Sequence, residues 1–300
     1  MSFMPAPPEQ PFLSVHPEKR IISLTGKDVR DFLNDILTAQ ISTLASDTAR
    51  AACLLSPQGR ILFDMMVMAT ADTIYLVTEA EQAAPLAKRL TMYRLRRKIE
   101  ITVSSDICAG HIWGEDLADF SVPNSCISAY DERHKALGKL VLFSKTDGLP
   151  EQEEAKYWQA LRISLGVPEG AADLTPNRAL MLEAGLHLLG AIDFEKGCYV
   201  GQEVTARTHY RGLVKRRLFP VSASGKLKSG QALQRGDTAI GQTGSIASLP
   251  DRGDIALASL RLDAVQDRLA GKAELTTDNG QIISLHIPDW MHPLPGFDKG

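Results

Sequence analysis

The sequence predicts an α+β protein with an all-β segment toward its C-terminal end. Short runs rich in branched residues alternate with stretches whose apolar side chains recur at helical spacing, which is the pattern of mixed layers. Turn residues join two of those runs directly, at Ser56-Pro57-Gln58-Gly59-Arg60, which favours antiparallel pairing. From Lys215 onward, strands punctuated by glycine arrive at short spacing, as in a small all-β unit.

A chain of 300 residues, 44% of them hydrophobic, is long and apolar enough for a real core. The formal net charge of -3 excludes a general pull toward nucleic acid or anionic membrane, so any such contact must be local. Cys53, Cys108, Cys126 and Cys198 are scattered, with no C-x-x-C pair, against a disulfide framework or an intrinsic zinc site and for a reducing compartment. The N-terminus lacks the basic and apolar regions of a secretory signal and is poor in arginine for a transit peptide, so residues 1–19 read as a flexible arm. No apolar run approaches the ~20 residues of a membrane helix. The expectation is a soluble, cytoplasmic protein, in the bacterial cytosol or a matrix-like compartment.

In chain order, residues 20–24 read as a strand ended by Thr25-Gly26, and Val29, Phe32, Leu33, Ile36 and Leu37 then mark one face of a helix over about 27–39. Residues 51–55 and 61–68 are the strands of the hairpin. Asp64 shares a strand face with Leu62, Met66 and Met68. A carboxylate in such company needs a donor, so Asp64 is either a structural acid with a backbone or arginine partner, or a ligand contact. Residues 74–77 read as a strand, and 79–93 as a helix carrying Ala83, Leu86, Ala87 and Leu90. Arg94, Arg96, Arg97 and Lys98 form the most basic run, ahead of a strand at 99–103. Such a run is a solvated face, an RNA phosphate patch or a site for another anionic group such as a polyglutamate tail. Residues 108–144 are less regular, with a strand at 137–143.

The acidic opening 151–154 suits a helix N-terminus, and Ala155, Trp158, Leu161 and Leu165 carry its buried side up to a stop at Gly166-Val167-Pro168-Glu169-Gly170. Further on, Thr205 and His209 would share a helix face with Arg207 on another. His209 has no nearby histidine or cysteine in sequence with which to hold a metal. Strands follow at 239–247, 255–258 and 282–287, and 288–293 is a packed or frayed tail.

The chemistry concentrates in Lys196-Gly197-Cys198-Tyr199-Val200-Gly201-Gln202-Glu203. Glycines on both sides allow sharp turns and close approach, so the thiol is presented. A helix starting near Gly201 and the ammonium of Lys196 would both favour the thiolate of Cys198. The bland alternative is a small buried hydrophobe, and the polar neighbours Lys196, Gln202 and Glu203 argue against it. Cys53, Cys108 and Cys126 read as packing residues.

This octapeptide resembles the Lys-Gly-Cys-Tyr-x-Gly-Gln-Glu signature of the YgfZ family, folate-binding proteins of iron–sulfur cluster maturation related to the T-protein of glycine cleavage, an aminomethyltransferase. The continuation Leu218-Phe219-Pro220-Val221 is similar to the mitochondrial-type branch. The resemblance extends over Phe32-Leu33-Asn34-Asp35-Ile36-Leu37-Thr38, over Leu161-Arg162-Ile163-Ser164-Leu165-Gly166-Val167-Pro168 and over residues 177–190. It implies two interleaved α+β subdomains around a central cleft, covering 20–217, and a C-terminal antiparallel β-barrel covering 218–300.

The resemblance further implies tetrahydrofolate as cofactor, with the pterin edge read by Glu183 and contacts from Asp64 and Arg207, the latter pairing with a folate carboxylate or with Glu203. A solvated helix glutamate is the alternative for Glu183. Phe63 stands where the T-protein pattern carries an acid, which speaks against aminomethyl transfer. The expected function is an accessory role in four-iron, four-sulfur cluster assembly or repair, Cys198 acting on a transient iron–sulfur cluster shared with an A-type carrier protein, since one thiolate cannot hold a cluster. The rivals are a tetrahydrofolate-dependent one-carbon transferase and a tRNA-modification factor using the run from Arg94 to Lys98.

Overall fold

The computed structural model describes residues 8–120, 126–145, 155–212, 214–249 and 253–296. The acidic opening at 151–154 lies outside them. The chain forms two compact units interleaved in sequence, one of Ala6–Trp158 with Leu189–Gln202, the other chiefly of Gln159–Leu188 with Glu203–Gly300. Among the described residues no helix is long and apolar enough to cross a membrane.

The first unit contains β1 (Phe12–Val15), β2 (Lys19–Thr25), α1 (Val29–Ile36), β3 (Thr48–Leu55), β4 (Ile61–Ala69), β5 (Thr73–Glu79), α2 (Ala80–Arg94), β6 (Glu100–Ser104), β7 (Ile107–Trp113), β8 (Ile127–Asp131) and β9 (Lys139–Ser144). Its nine strands make one sheet in the order β1-β7-β9-β8-β3-β4-β5-β2-β6, antiparallel except where β3 meets β8. The helical stripe works as the spacing predicts: Val29, Phe32, Leu33 and Ile36 are buried, in one core with Leu54, Val67, Leu76, Leu86 and Leu90. Gly26 makes the entry turn at φ +125°, where a Cβ would fall 2.3 Å from the Lys98 carbonyl oxygen.

Two expectations need correction here. The flexible arm gives way at Phe12–Val15, which is strand β1, paired to β7 with Leu13 and Ser14 fully buried. The short apolar run there was masked by the surrounding prolines. The stretch 108–144 is likewise more regular than its composition suggests, since β7, β8 and β9 pair in register through it.

The second unit holds most of α3 (Ala155–Ser164), α4 (Gly170–Asp173), α5 (Gln202–Tyr210), β10 (Arg216–Ala223), β11 (Ala232–Arg235), β12 (Thr238–Leu249), β13 (Gly253–Arg261), α6 (Leu262–Leu269), β14 (Thr276–Thr277) and β15 (Ile283–Leu285). Six antiparallel strands run β14-β11-β12-β13-β10-β15, and a bridge from Thr276 to Ile282 brings the end strands together into a β-barrel. Phe219, Val221, Leu233, Ala256, Leu260 and Ile283 fill it. Helix α6 was not foreseen in a segment read as all β; its Leu262, Ala264 and Val265 join that core. The tail is packed, with Met291 buried and the Trp290 indole N–H donating to the Leu165 carbonyl at 2.7 Å.

A buried polar network ties the far half of the first unit together. Asp131 accepts from the Arg133 guanidinium at 2.7 Å and lies 3.2 Å from the His111 ring nitrogen, and the His111 ring stacks on Trp158 at 4.1 Å. Burial alone would raise the Asp131 carboxyl; Arg133 and His111 outweigh it and hold it at about 2. Its stabilising effect is therefore full above the ordinary carboxylate pKa and fades as pH falls through about 2. Asp131→Asn removes the carboxylate charge that faces the buried Arg133 guanidinium and should lower unfolding free energy at neutral pH by about 3–5 kcal/mol, read from urea denaturation midpoints.

Candidate functional site

The loop that carries Cys198 hangs from Thr38, just past the end of α1. Thr38 is fully buried, and each of its polar groups is used. Its N–H donates to the Cys53 carbonyl at 3.0 Å, and its carbonyl accepts from the Asp193 N–H at 3.0 Å. The hydroxyl donates to the Ala191 carbonyl at 2.7 Å and accepts from the Cys53 N–H at 2.9 Å. Strand β3 and the segment before the motif are thus joined through one side chain.

From there Asp193 Oδ1 accepts from the N–H groups of Glu195 and Lys196, at 2.8 and 3.0 Å, and turns the chain toward the motif. The Lys196 side chain turns inward, with the residue 7% exposed. Its ammonium donates to the carbonyls of Leu37 and Ala39 at 2.7 and 2.8 Å and lies 5.3 Å from the Tyr199 ring centre. The Lys196 ammonium, expected to favour the Cys198 thiolate, is hydrogen-bonded to buried carbonyls just past the C-terminal end of α1, where such groups need donors.

Beyond the thiol the chain is fixed again. Tyr199 is buried, and its N–H meets Gln202 Oε1 at 3.3 Å. Gly201 adopts φ +83° with its backbone against the hairpin turn, so that a Cβ would lie 2.5 Å from the Ser56 carbonyl oxygen. Glycine is required there. At Gly197, by contrast, a Cβ would meet nothing within 4 Å and φ lies outside the left-handed region, so neither space nor backbone conformation requires glycine there. Helix α5 begins at Gln202, directly after Gly201.

Between these two anchors Cys198 is exposed, while Cys53 is buried and Cys108 and Cys126 are half-buried; none of the four is in a disulfide. Beneath the loop, burial pushes the Cys53 thiol well above its usual range, and Asp64 across the hairpin adds to it. Burial likewise pushes the Tyr199 phenol up to about 12, with Asp193 and Cys53 contributing, and its hydroxyl is buried without a hydrogen-bond partner. Asp64 itself is half-buried, and Phe63 packs against the core.

The remaining predicted residues lie in the other unit. Residues 181–190 run as successive turns, so Glu183 is not a helix residue; it is half-buried, and its carbonyl accepts from the Leu218 N–H on β10 at 3.1 Å. Next to that contact, Arg217 is 2% exposed, and its Nε and Nη1 have no hydrogen-bond partner. The His187 Nδ1 is also unpartnered, and burial, helped by the Arg217 and His209 charges, holds its ring down at about 4, so it is neutral at pH 7. His209, read as lacking a histidine neighbour, stands edge-on to His187 at 5.6 Å. Arg207 and Glu203 are exposed on α5 and do not pair with each other.

Sequence reasoning missed Arg217 and His187. An arginine directly before the apolar strand run Leu218-Phe219-Pro220-Val221 was the available signal. Glu183 as acceptor, with unused donors on Arg217 and a neutral imidazole close by, is a set that fits a ligand of the tetrahydrofolate type, which presents ring N–H groups beside a carbonyl.

Burial pushes Lys196 down to about 8 against the pull of Asp193 and Asp35. Between about pH 8 and the ordinary lysine range the unfolded chain holds this proton and the folded one does not, so stability rises with pH across that window. The neutral amine keeps two hydrogens for its two carbonyls. An ¹⁵N-detected NMR titration of the side chain should give an apparent pKa near 8; an ordinary lysine value would contradict the burial described.

Residues 215–293 match the family model described as the CAF17 C-terminal beta-barrel domain. The chain is 28% identical to the mitochondrial iron-sulfur cluster assembly factor IBA57 of Mus musculus, over 91% of this chain and 83% of that protein, and the same figures hold for the Homo sapiens protein. It is 32% identical to the IBA57 homolog of Coccidioides immitis over 72% of this chain, and the match spans 58% of that longer relative. The aminomethyltransferase T of the Bartonella henselae glycine cleavage system superposes with a TM-score of 0.71 at 16% identity, covering 94% of this chain and 87% of the other. The fold is therefore T-protein-like, α+β with a C-terminal β-barrel.

Proposed function

We propose that the protein is an accessory factor in the assembly or repair of four-iron, four-sulfur clusters, acting through Cys198. The observation that carries this reading is a single exposed cysteine on a loop anchored at both ends, in a chain similar to proteins named as iron-sulfur cluster assembly factors. Among the described residues no three histidine, cysteine or acidic side chains gather to hold a metal ion. An iron–sulfur centre generally takes four ligands, so the cluster, as cargo, is shared with a carrier of the A type that supplies the other thiolates. Cys198 would bind iron as thiolate, its proton passing to solvent. A reducing compartment, the bacterial cytosol or one like the mitochondrial matrix, keeps that thiol free.

Tetrahydrofolate is the second ligand of this reading, and when bound it supplies a reduced pterin able to carry one-carbon units. Glu183 would accept from the pterin edge, Arg217 would donate to a ring or amide carbonyl, and Arg207 would make an outer contact. The unused donors of Arg217 and the unpartnered ring nitrogen of His187 support a ligand at this place. Phe63, packed on the core where the T-protein pattern has an acid, disfavours aminomethyl transfer.

In a strain lacking the native protein, Cys198→Ser should leave four-iron, four-sulfur enzyme activities at the level of the empty vector; restoration to wild-type level would end the proposal. By calorimetry, Glu183→Ala should weaken tetrahydrofolate binding by about 10- to 100-fold. Unchanged affinity would remove Glu183 from the pterin site.

A further inference from the structure

At the end of α2 the basic run carries a surface that the proposed function does not use. Leu95 follows the helix at φ +52°, ψ -113°, a backbone state that suits glycine, and its side chain is 85% exposed. Met92 one turn earlier is 60% exposed, and Val103 on β6, the end strand of the sheet, is also exposed. The turn is held closed by the Arg94 guanidinium, which donates to the Ile99 carbonyl at 2.6 Å, and by the Arg97 N–H, which donates to the Arg94 carbonyl at 3.0 Å. A leucine that solubility and backbone conformation both disfavour is thus kept on the surface by a well-bonded turn.

Beside Leu95 lies a concavity of about 730 Å³ with Phe32, Ile36 and Tyr93 in its lining. Its charges are not equivalent. Arg97 is committed to Asp35 at 2.6 Å, and Asp28 lines the same hollow. Arg96 and Lys98 are exposed and form no ion pair among the described residues. Arg96 in the lining and Lys98 two residues further on, beside an exposed leucine and an apolar-floored hollow, call for a partner that brings carboxylates and an apolar side chain together.

The geometry points to a docking site for a protein segment in which a large apolar residue is flanked by aspartates or glutamates, the apolar residue seated against Leu95 and in the hollow, the carboxylates on Arg96 and Lys98. A nucleic acid suits the surface less well. The exposed leucine and the apolar floor of Phe32, Ile36 and Tyr93 offer a backbone phosphate nothing. The inference stands independently of the Cys198 reading.

The test uses the full chain and a fluorescein-labelled peptide Asp-Glu-Leu-Phe-Asp-Glu in anisotropy titrations at two salt concentrations. Leu95→Gly removes the apolar contact and suits the φ of the site, so the variant should melt no lower than wild type. Both Leu95→Gly and Arg96→Glu should weaken peptide binding at least about tenfold, and a peptide with Leu and Phe replaced by Ser should bind no better than to the variants. Four results would overturn the site: no binding of the peptide to wild type, affinity indifferent to both substitutions, tighter binding of a single-stranded RNA lost in Arg96→Glu, or sedimentation showing that Leu95→Gly abolishes only self-association.

Discussion

The hydrogen bonds of one buried threonine set the geometry of everything around the motif. Thr38 joins the end of α1, strand β3 and the segment before Cys198 with its amide, its carbonyl and both capacities of its hydroxyl. Each of these groups would be costly to leave unmade in a site from which water is excluded, on the order of 1–3 kcal/mol apiece. That cost is what keeps a loop free of helix or strand from settling elsewhere. The Asp193 turn, the inward Lys196 and the tight Gly201 then follow as consequences of a chain that must leave Thr38 and arrive at α5.

The same arrangement separates two cysteines into opposite kinds. Cys53 lies on β3 under the loop, sealed and with its thiol held protonated by burial and by Asp64. Cys198 stands exposed between the anchors. Lys196, which the sequence presents as an electrostatic neighbour of the thiol, acts as a mechanical one: its ammonium tethers the loop to the carbonyls of Leu37 and Ala39. The local order of residues does not encode which way the Lys196 side chain turns.

Much of the first unit was legible because its elements obey simple periods. The stripe from Val29 to Ile36, the hairpin about Ser56–Arg60 and the alternation of strands with α2 all came from spacing. Strand β1 escaped because its short apolar stretch gains its meaning from β7, a hundred residues away in sequence. In the second unit the barrel strands announced themselves by glycine punctuation, while α6 was lost in the same texture. At the candidate sites the motif itself was readable, but Arg217 and His187 were not, since their lack of partners is a property of packing. Glu183 was singled out by resemblance alone, and its place on a turn docked to β10 was not legible in the sequence.

The central claim is that Cys198 is a fixed, solvent-facing thiol and Cys53 a sealed one. Timed alkylation of the native protein with iodoacetamide, read by mass spectrometry of each cysteine peptide, measures this directly. The account predicts that Cys198 is labelled at close to the rate of a free thiol while Cys53 reacts only on unfolding. Protection of Cys198 in the folded protein, or labelling of Cys53 alongside it, would contradict the account.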